Sequence, residues 1–147
     1  MTPTAPPPRL AAPPEALDDD PPVRVVMSPL GPVEVPSAMR VATALEQLRR
    51  LDGGHLVTRR HGQVRAVAEV DLLRHVLEAG ARPARLLDPV GDLARPVSLV
   101  GPDLRRSAAA ELMLAREDAV LVVAVDGEPC GLLDARTVLH SVARERR

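Results

Sequence analysis

The feature that most constrains the fold is an internal repeat, in which two segments carry the same order of secondary-structure signals. The first segment runs from Val23 to about Gly80, and the second from about Ala84 to Val142. The offset of about 65 residues is too long for a solenoid unit and suits a duplicated small domain. Two related halves tend to pack around a pseudo-two-fold axis, so the cleft between them is where we first expect a ligand.

Each copy has the pattern strand, helix, strand, strand, helix. Helical spacing of apolar residues predicts helices over residues 38–51, 69–79, 104–116 and 134–143. Strands are predicted over residues 32–35, 56–58 and 64–67 and over 96–100, 119–125 and 131–133. The unbroken apolar run 119–125 is typical of a strand buried on both faces in a parallel or mixed sheet. The predicted fold class is therefore α+β, resembling an α/β sandwich, with two tandem β-α-β-β-α repeats.

The composition excludes several classes of partner. Apolar residues make up 46% of the chain, but Phe, Tyr and Trp are absent, so no aromatic platform for stacking bases can form. The net charge of −1 gives no general attraction to nucleic acid or to an anionic membrane. No apolar run approaches the ~20 residues that a membrane helix needs. We therefore expect neither nucleic acid nor a membrane as a partner.

The N-terminal segment differs from the rest of the chain. Residues 1–22 contain eight of the 16 prolines and the acidic run 18–20, which predicts a disordered arm. A proline-rich docking peptide is the alternative interpretation. The predicted organisation is thus an arm at 1–22, a first repeat at 23–80 and a second repeat at 84–147. The absence of a signal-peptide pattern and the single Cys130 suggest a cytoplasmic location.

The order of these pieces resembles a tandem pair of CBS domains, the cystathionine-β-synthase-type domains of a Bateman module. The resemblance rests on Val25–Pro29 and Val41–Leu45 in the first copy, and on Pro96–Val100 and Val122–Leu133 in the second. Similar CBS pairs are regulatory modules rather than catalysts, and they commonly bind adenine nucleotides between the two halves. The resemblance implies a non-enzymatic protein without a cofactor, with AMP, ADP or ATP as candidate ligand, and a homodimer.

In such pairs each copy carries a Gly, a Thr or Ser that meets a phosphate, and an Asp that binds the ribose hydroxyls. The resemblance implies that Asp71 is the ribose-binding residue of the first copy. Ala68 stands where the hydroxyl residue is expected, and Arg65 stands where the Gly is expected. Arg65 could either fill the space of the missing Gly or supply a positive charge to the cleft. Acidic residues in first turns are also routine, so Asp71 could instead stabilise the helix N-terminus.

The second copy departs from the pattern at other positions. Gly131 is retained, but Asp134 stands at the hydroxyl position and Thr137 at the Asp position. A carboxylate beside a phosphate is repulsive unless a cation or Arg136 intervenes, so this second site is predicted to be degenerate. Asp134 is itself predicted to be the N-cap of the last helix.

The remaining charged residues do not form a recognisable catalytic site. Arg59 follows an inner strand and could face a phosphate, although a solvated turn charge is the alternative. The four histidines show no metal-ligand spacing, so we predict no metal site.

Two functions are compatible with these patterns. The first is a ligand-sensing module that binds an adenine nucleotide in the cleft near Asp71 and is read by an unknown protein partner. The second is a degenerate CBS pair that serves as a dimerisation or interaction scaffold without a ligand.

Overall fold

The computed structural model of the protein describes residues 19–116 and 120–145 and shows an α+β fold within these ranges. The helices are α1 (Val41–Arg50), α2 (Glu69–Leu77), α3 (Arg106–Arg116) and α4 (Ala135–Glu145). The strands are β1 (Ser28–Pro29), β2 (His55–Arg60), β3 (Gln63–Ala68), β4 (Arg95–Pro96), β5 (Ser98–Val100), β6 (Val120–Val125) and β7 (Glu128–Asp134). The predicted fold class and the twofold repetition of the element order are both confirmed.

The two copies exchange their first strands. β1 of the first copy pairs antiparallel with β7 of the second, with Ser28 opposite Leu132. In return, β4 of the second copy pairs antiparallel with β3 of the first, with Arg95 opposite Ala66. One sheet therefore has the order β1-β7-β6-β5 and the other the order β2-β3-β4. This reciprocal exchange joins the copies through backbone hydrogen bonds and agrees with a pseudo-two-fold relation between them.

Each exchanged segment then returns to its own copy. After β1 the chain forms a parallel bridge between Glu34 and Val57, and the Val35 N–H donates to the Val57 carbonyl at 2.8 Å. After β4, β5 pairs in parallel with β6. β6 thus lies between a parallel and an antiparallel neighbour, which is the mixed sheet that its apolar sequence predicts. Ala119, at the predicted start of this strand, lies outside the described residues.

Three apolar clusters of Val, Leu, Ala and Met form the core. One lies under α1 and α2 in the first copy, and it includes Ala44, Leu48, Leu56 and Leu72. The second lies in the second copy, and it includes Ala109, Met113, Leu121 and Leu133. The third lies between the copies, and it includes Val57, Val64, Val122 and Leu132. Neighbouring residues of β2 and of β6 point into different clusters, so both faces of each strand are buried.

The predicted strand at 32–35 is wrong. Residues Gly31–Val33 form a 3-10 turn instead, in which the N–H groups of Val33 and Glu34 donate to the Leu30 carbonyl at 3.0 and 2.9 Å. Pro32 favours such a turn because its ring fixes φ near the helical value and it has no N–H to donate to a strand. Only the bridge at Glu34 retains the extended pairing that was predicted.

The last residues of the predicted disordered arm are attached to the second copy. The Asp20 carboxylate accepts hydrogen bonds from the Ser107 N–H at 2.8 Å and from the Ser107 hydroxyl at 2.6 Å. The Pro21 carbonyl accepts the Arg106 N–H at 2.9 Å, just as the Asp88 carbonyl accepts the Val41 N–H in the other copy. These residues thus supply partners to the otherwise unbonded N-terminal N–H groups of α3. Residues 1–18 of the arm lie outside the described residues.

Candidate functional site

A cavity of 480 Å³ lies between the two copies, beside the N-terminus of α4. One wall is apolar and comes from the segment before β1, the turn after it, the end of α1 and β7. This wall includes Val26, Met27, Val33, Leu51 and Leu132. The polar lining comprises His55, Asp134, Arg136, Thr137, His140 and Arg144. The cavity is therefore lined by residues of both repeats, and its lining contains an apolar set and a polar set of side chains.

Asp134 and Thr137 cap α4 reciprocally. The Asp134 carboxylate accepts the Thr137 N–H at 2.9 Å, and the Thr137 hydroxyl accepts the Asp134 N–H at 2.8 Å. The same hydroxyl donates to the Asp134 carbonyl at 2.8 Å. The prediction that Asp134 is an N-cap is confirmed. Because the Thr137 hydroxyl both donates and accepts within the cap, its hydrogen-bonding capacity is largely used before any ligand arrives.

Asp134 also faces His55 across the boundary between the copies. Oδ2 of Asp134 lies 3.5 Å from Nδ1 of His55; the Asp134 side chain is buried and the His55 side chain is largely buried. This Nδ1 makes no hydrogen bond within the described residues, so the pair is an electrostatic contact rather than a formed hydrogen bond. Burial raises the pKa of Asp134, but His55 and the two groups of Thr137 outweigh burial and hold the pKa below its ordinary value. Asp134 is consequently ionised at neutral pH.

A basic face of α4 forms the mouth of the cavity. Arg136, His140 and Arg144 stand four residues apart and so share one face of the helix, and all three line the cavity. The Arg136 guanidinium donates to the Asp52 carbonyl at 2.8 Å, in the turn that ends α1. This basic face was not predicted from the sequence. Its four-residue spacing of basic side chains was the signal that could have revealed it.

The corresponding residues of the first copy are used differently. The Asp71 carboxylate accepts the Ala68 N–H at 3.2 Å, and its other oxygen lies 3.5 Å from the Arg74 guanidinium. Asp71 therefore stabilises the start of α2, which was the alternative to ribose binding. The carboxylate remains partly exposed, so its assignment to a ribose stays a prediction.

Arg65 lies across the space where the first copy lacks its Gly. Its guanidinium donates to the Ala94 carbonyl at 3.1 Å and to the Gln63 side chain at 3.1 Å. Strand register identifies the equivalence, since Pro96 pairs with Arg65 as Pro29 pairs with Gly131. At Gly131 the space is filled by Met27, whose Sδ would lie 2.1 Å from a Cβ added to the glycine. Arg65 thus bonds a backbone carbonyl of the second copy, and both sequence-based alternatives for its role stay predictions.

Arg59 does not line the α4 cavity, and it is neutralised by two carboxylates. It contacts Glu34 and Glu128 at 3.1 Å each, and these bonds raise its pKa further above the ordinary value. A second cavity of 480 Å³ adjoins it at the β2–β3 and β6–β7 turns. With both neighbouring carboxylates bonded to it, Arg59 links the two copies, and its contact with a phosphate stays a prediction.

Two kinds of feature are absent from the part of the chain that the structure describes. No group of three or more His, Cys, Asp or Glu side chains is placed to hold a metal ion. No helix there is both long and apolar enough to cross a membrane.

No family model matches the chain, and no curated protein matches it. Solved structures do match it over most of its length. CBSX2 in complex with AMP is 24% identical, with a TM-score of 0.69 over 86% of this chain and 99% of that one. AcuB from Vibrio cholerae is 16% identical, with a TM-score of 0.71 over 84% of this chain and 90% of that one.

A further match is the CBS domain of a bacterial CNNM/CorC family Mg²⁺ transporter in complex with ATP. It is 17% identical, with a TM-score of 0.68 over 88% of this chain and 92% of that one. The chain therefore has the fold of a tandem CBS-domain pair, as its sequence pattern predicts.

Proposed function

We propose that this protein is a non-catalytic regulatory module that binds an adenine nucleotide or nucleoside between its two repeats. The observation that carries the proposal is the cavity beside α4, whose lining combines apolar and basic side chains and comes from both copies. A base fits an apolar wall, and phosphates fit a basic one. Two proteins of the same fold carry AMP and ATP in their solved structures, which supports this choice of ligand.

A ligand in this cavity would contact both copies at once. It would therefore favour the arrangement of the two copies to which it binds more tightly. The size of the shift is set by the difference in its affinity for the alternative arrangements. We accordingly place the proposed site at the α4 cavity, and the site near Asp71 stays a separate sequence-based prediction.

Calorimetric titration with adenosine, AMP, ADP and ATP tests the proposal. Two variants locate the site: Ser28→Trp would project a large ring into the α4 cavity, which Ser28 lines, and Asp71→Asn would remove the predicted ribose carboxylate. Binding that survives in Asp71→Asn and is lost in Ser28→Trp supports the α4 cavity. The reverse result places the ligand at Asp71. No heat and no change in melting temperature with any of the four compounds would contradict ligand sensing.

The scaffold function is the second candidate, and a surface observation favours it. Val70, Leu73 and Leu77 form a stripe on the outer face of α2 and are 55%, 41% and 59% exposed. Such a stripe on a helix is typical of a surface that packs against another chain. Light scattering at micromolar concentration would test this function directly. A monomer would rule out a homodimer built on the stripe, and a dimer that dissociates in Leu73→Glu would support it.

A further inference from the structure

We infer, resting on the function proposed above, that the anionic group of the ligand lies along the α4 face formed by Arg136, His140 and Arg144, and not at the N-terminus of that helix. The ligand class that follows is a phosphorylated nucleoside. Its apolar part would lie against the wall that includes Val33 and Leu132, and its phosphate would point toward the C-terminal half of α4.

The N-terminus of α4 is closed to a phosphate. A helix N-terminus attracts anions because its first N–H groups are unbonded and its dipole is positive there. Here the Asp134 carboxylate already accepts the Thr137 N–H at 2.9 Å and supplies the negative charge. A phosphate at the same place would meet a buried, ionised carboxylate and would be repelled by it.

The basic face offers positive charge that the described residues do not neutralise. Neither Arg136 nor Arg144 has a carboxylate partner within residues 19–116 and 120–145, and Arg136 donates only to the Asp52 carbonyl. Both guanidinium groups are exposed at the mouth of the cavity, so their remaining N–H groups can reach a ligand. Asp134 is the one acidic residue among the described residues that line the cavity.

The first copy shows that this face is not a general property of the repeat. The residues on the equivalent face of α2 are Val70, Arg74 and Glu78. Arg74 pairs with Asp71 at 3.5 Å, and Glu78 lies 3.9 Å from Arg85. The α2 face thus combines one apolar residue with two paired charges, whereas the α4 face carries unpaired cations beside a cavity.

The test compares adenosine with AMP as calorimetric probes of the full chain. We expect AMP to bind at least about tenfold more tightly than adenosine, the factor that corresponds to one charge-assisted hydrogen bond. The Arg144→Glu variant should lower the affinity for AMP by a larger factor than the affinity for adenosine. The matched control is Arg49→Glu, which reverses an exposed charge in the last turn of α1 at a residue that does not line the cavity. It should leave both affinities unchanged.

The outcomes separate this inference from the function on which it rests. Equal affinity for adenosine and AMP in the wild-type chain would overturn the phosphate position while retaining the nucleoside site. Equal losses of AMP affinity in Arg144→Glu and Arg49→Glu would also overturn it, because the effect would then arise from net charge. If neither compound binds the wild-type chain, the proposed function and the inference fail together.

Discussion

The two places where the copies meet differ by an exchange of large and small side chains. Beside β7, Gly131 leaves room for Met27, and the cavity opens along α4. At the equivalent register of β3, Arg65 is large and its guanidinium reaches the carbonyl of Ala94, a small buried residue. The same backbone pairing is therefore compatible with two fillings of the space between the copies. A duplicated fold can thus keep its backbone arrangement while single substitutions change the space that is left in each cleft.

The largest effect is expected at the start of α3, where Arg106 takes the place that Val41 holds in α1. Arg106 is buried and bonds Glu145 at 2.8 and 3.0 Å, the Ser141 hydroxyl at 2.8 Å and the Asp19 carbonyl at 2.8 Å. Arg106→Val should lower the free energy of unfolding by about 2 to 3 kcal/mol, since it removes several bonds to a charged group at once. Urea denaturation measures this effect.

The neighbouring residue supplies the control for Arg106. Arg105 is exposed and donates one bond, to the Asp20 carbonyl at 3.2 Å, so Arg105→Val should cost about 0.5 kcal/mol or less. If the two variants lose the same free energy of unfolding, the several bonds of Arg106 do not stabilise the fold more than the single bond of Arg105.

The next effect is expected at Gly131. A methyl group added there would lie 2.1 Å from the Met27 Sδ and 2.7 Å from its Cγ, so Gly131→Ala must displace the Met27 side chain, which packs beside β1. Overpacking of this kind costs about 1 to 3 kcal/mol. Gly31→Ala is the matched control, since nothing lies within 4 Å of a Cβ at that position. If both variants unfold at the same urea concentration, the contact between Met27 and Gly131 does not hold β1 against β7.

A smaller effect on stability is expected from Arg65→Ala. The variant loses bonds to Gln63 and to the Ala94 carbonyl, which together contribute about 1 kcal/mol. Arg65→Ala also compares the two clefts, because it removes the large side chain that lies at the Gly position of the first copy. We expect the calorimetric stoichiometry for AMP to rise above that of the wild-type chain. An unchanged stoichiometry would mean that Arg65 is not what closes this cleft.

Local signals explain why much of the fold was predictable. Burial of a helix or strand face depends on that element and its immediate neighbours, so a local pattern predicts it. Examples are the helical spacing that includes Ala44 and Leu48 and the apolar run that contains Leu121 and Val122. The exchange of β1 and β4 was not predictable in this way. It pairs Ser28 with Leu132 across the whole chain, and no local pattern specifies such a pair. The turn at Pro32 was misassigned because short apolar segments beside proline are compatible with either state.

The candidate site was less predictable than the fold. The family pattern directed attention to Asp71, whereas the cavity lies beside Asp134 and Thr137. Whether a cleft is open depends on the volumes of residues that meet in three dimensions, such as Met27 with Gly131. These contacts join positions far apart in the chain, so periodicity and spacing carry no information about them.

The smallest effect is expected from the charge of Asp134, and it should depend on pH. The pKa of this carboxyl is lower in the folded chain than its ordinary value of 3.8, so its charge stabilises the fold above that pH. This contribution is lost as the pH falls through the folded pKa. Asp134→Asn retains a capping side chain and removes the charge, which should cost about 0.5 kcal/mol at pH 7.

The difference between Asp134→Asn and the wild-type chain should therefore shrink as the pH falls from 5 to 3. The wild-type chain keeps part of its acid sensitivity in any case, because the pKa of Asp20 is also lowered, chiefly by its bonds to Ser107. Asp71→Asn, at the start of α2, controls for the loss of a helix N-terminal charge in the first copy. If the difference in the free energy of unfolding between Asp134→Asn and the wild-type chain stays constant across this pH range, the Asp134 charge does not stabilise the fold. The starts of α4 and α2 would then not differ in their electrostatics.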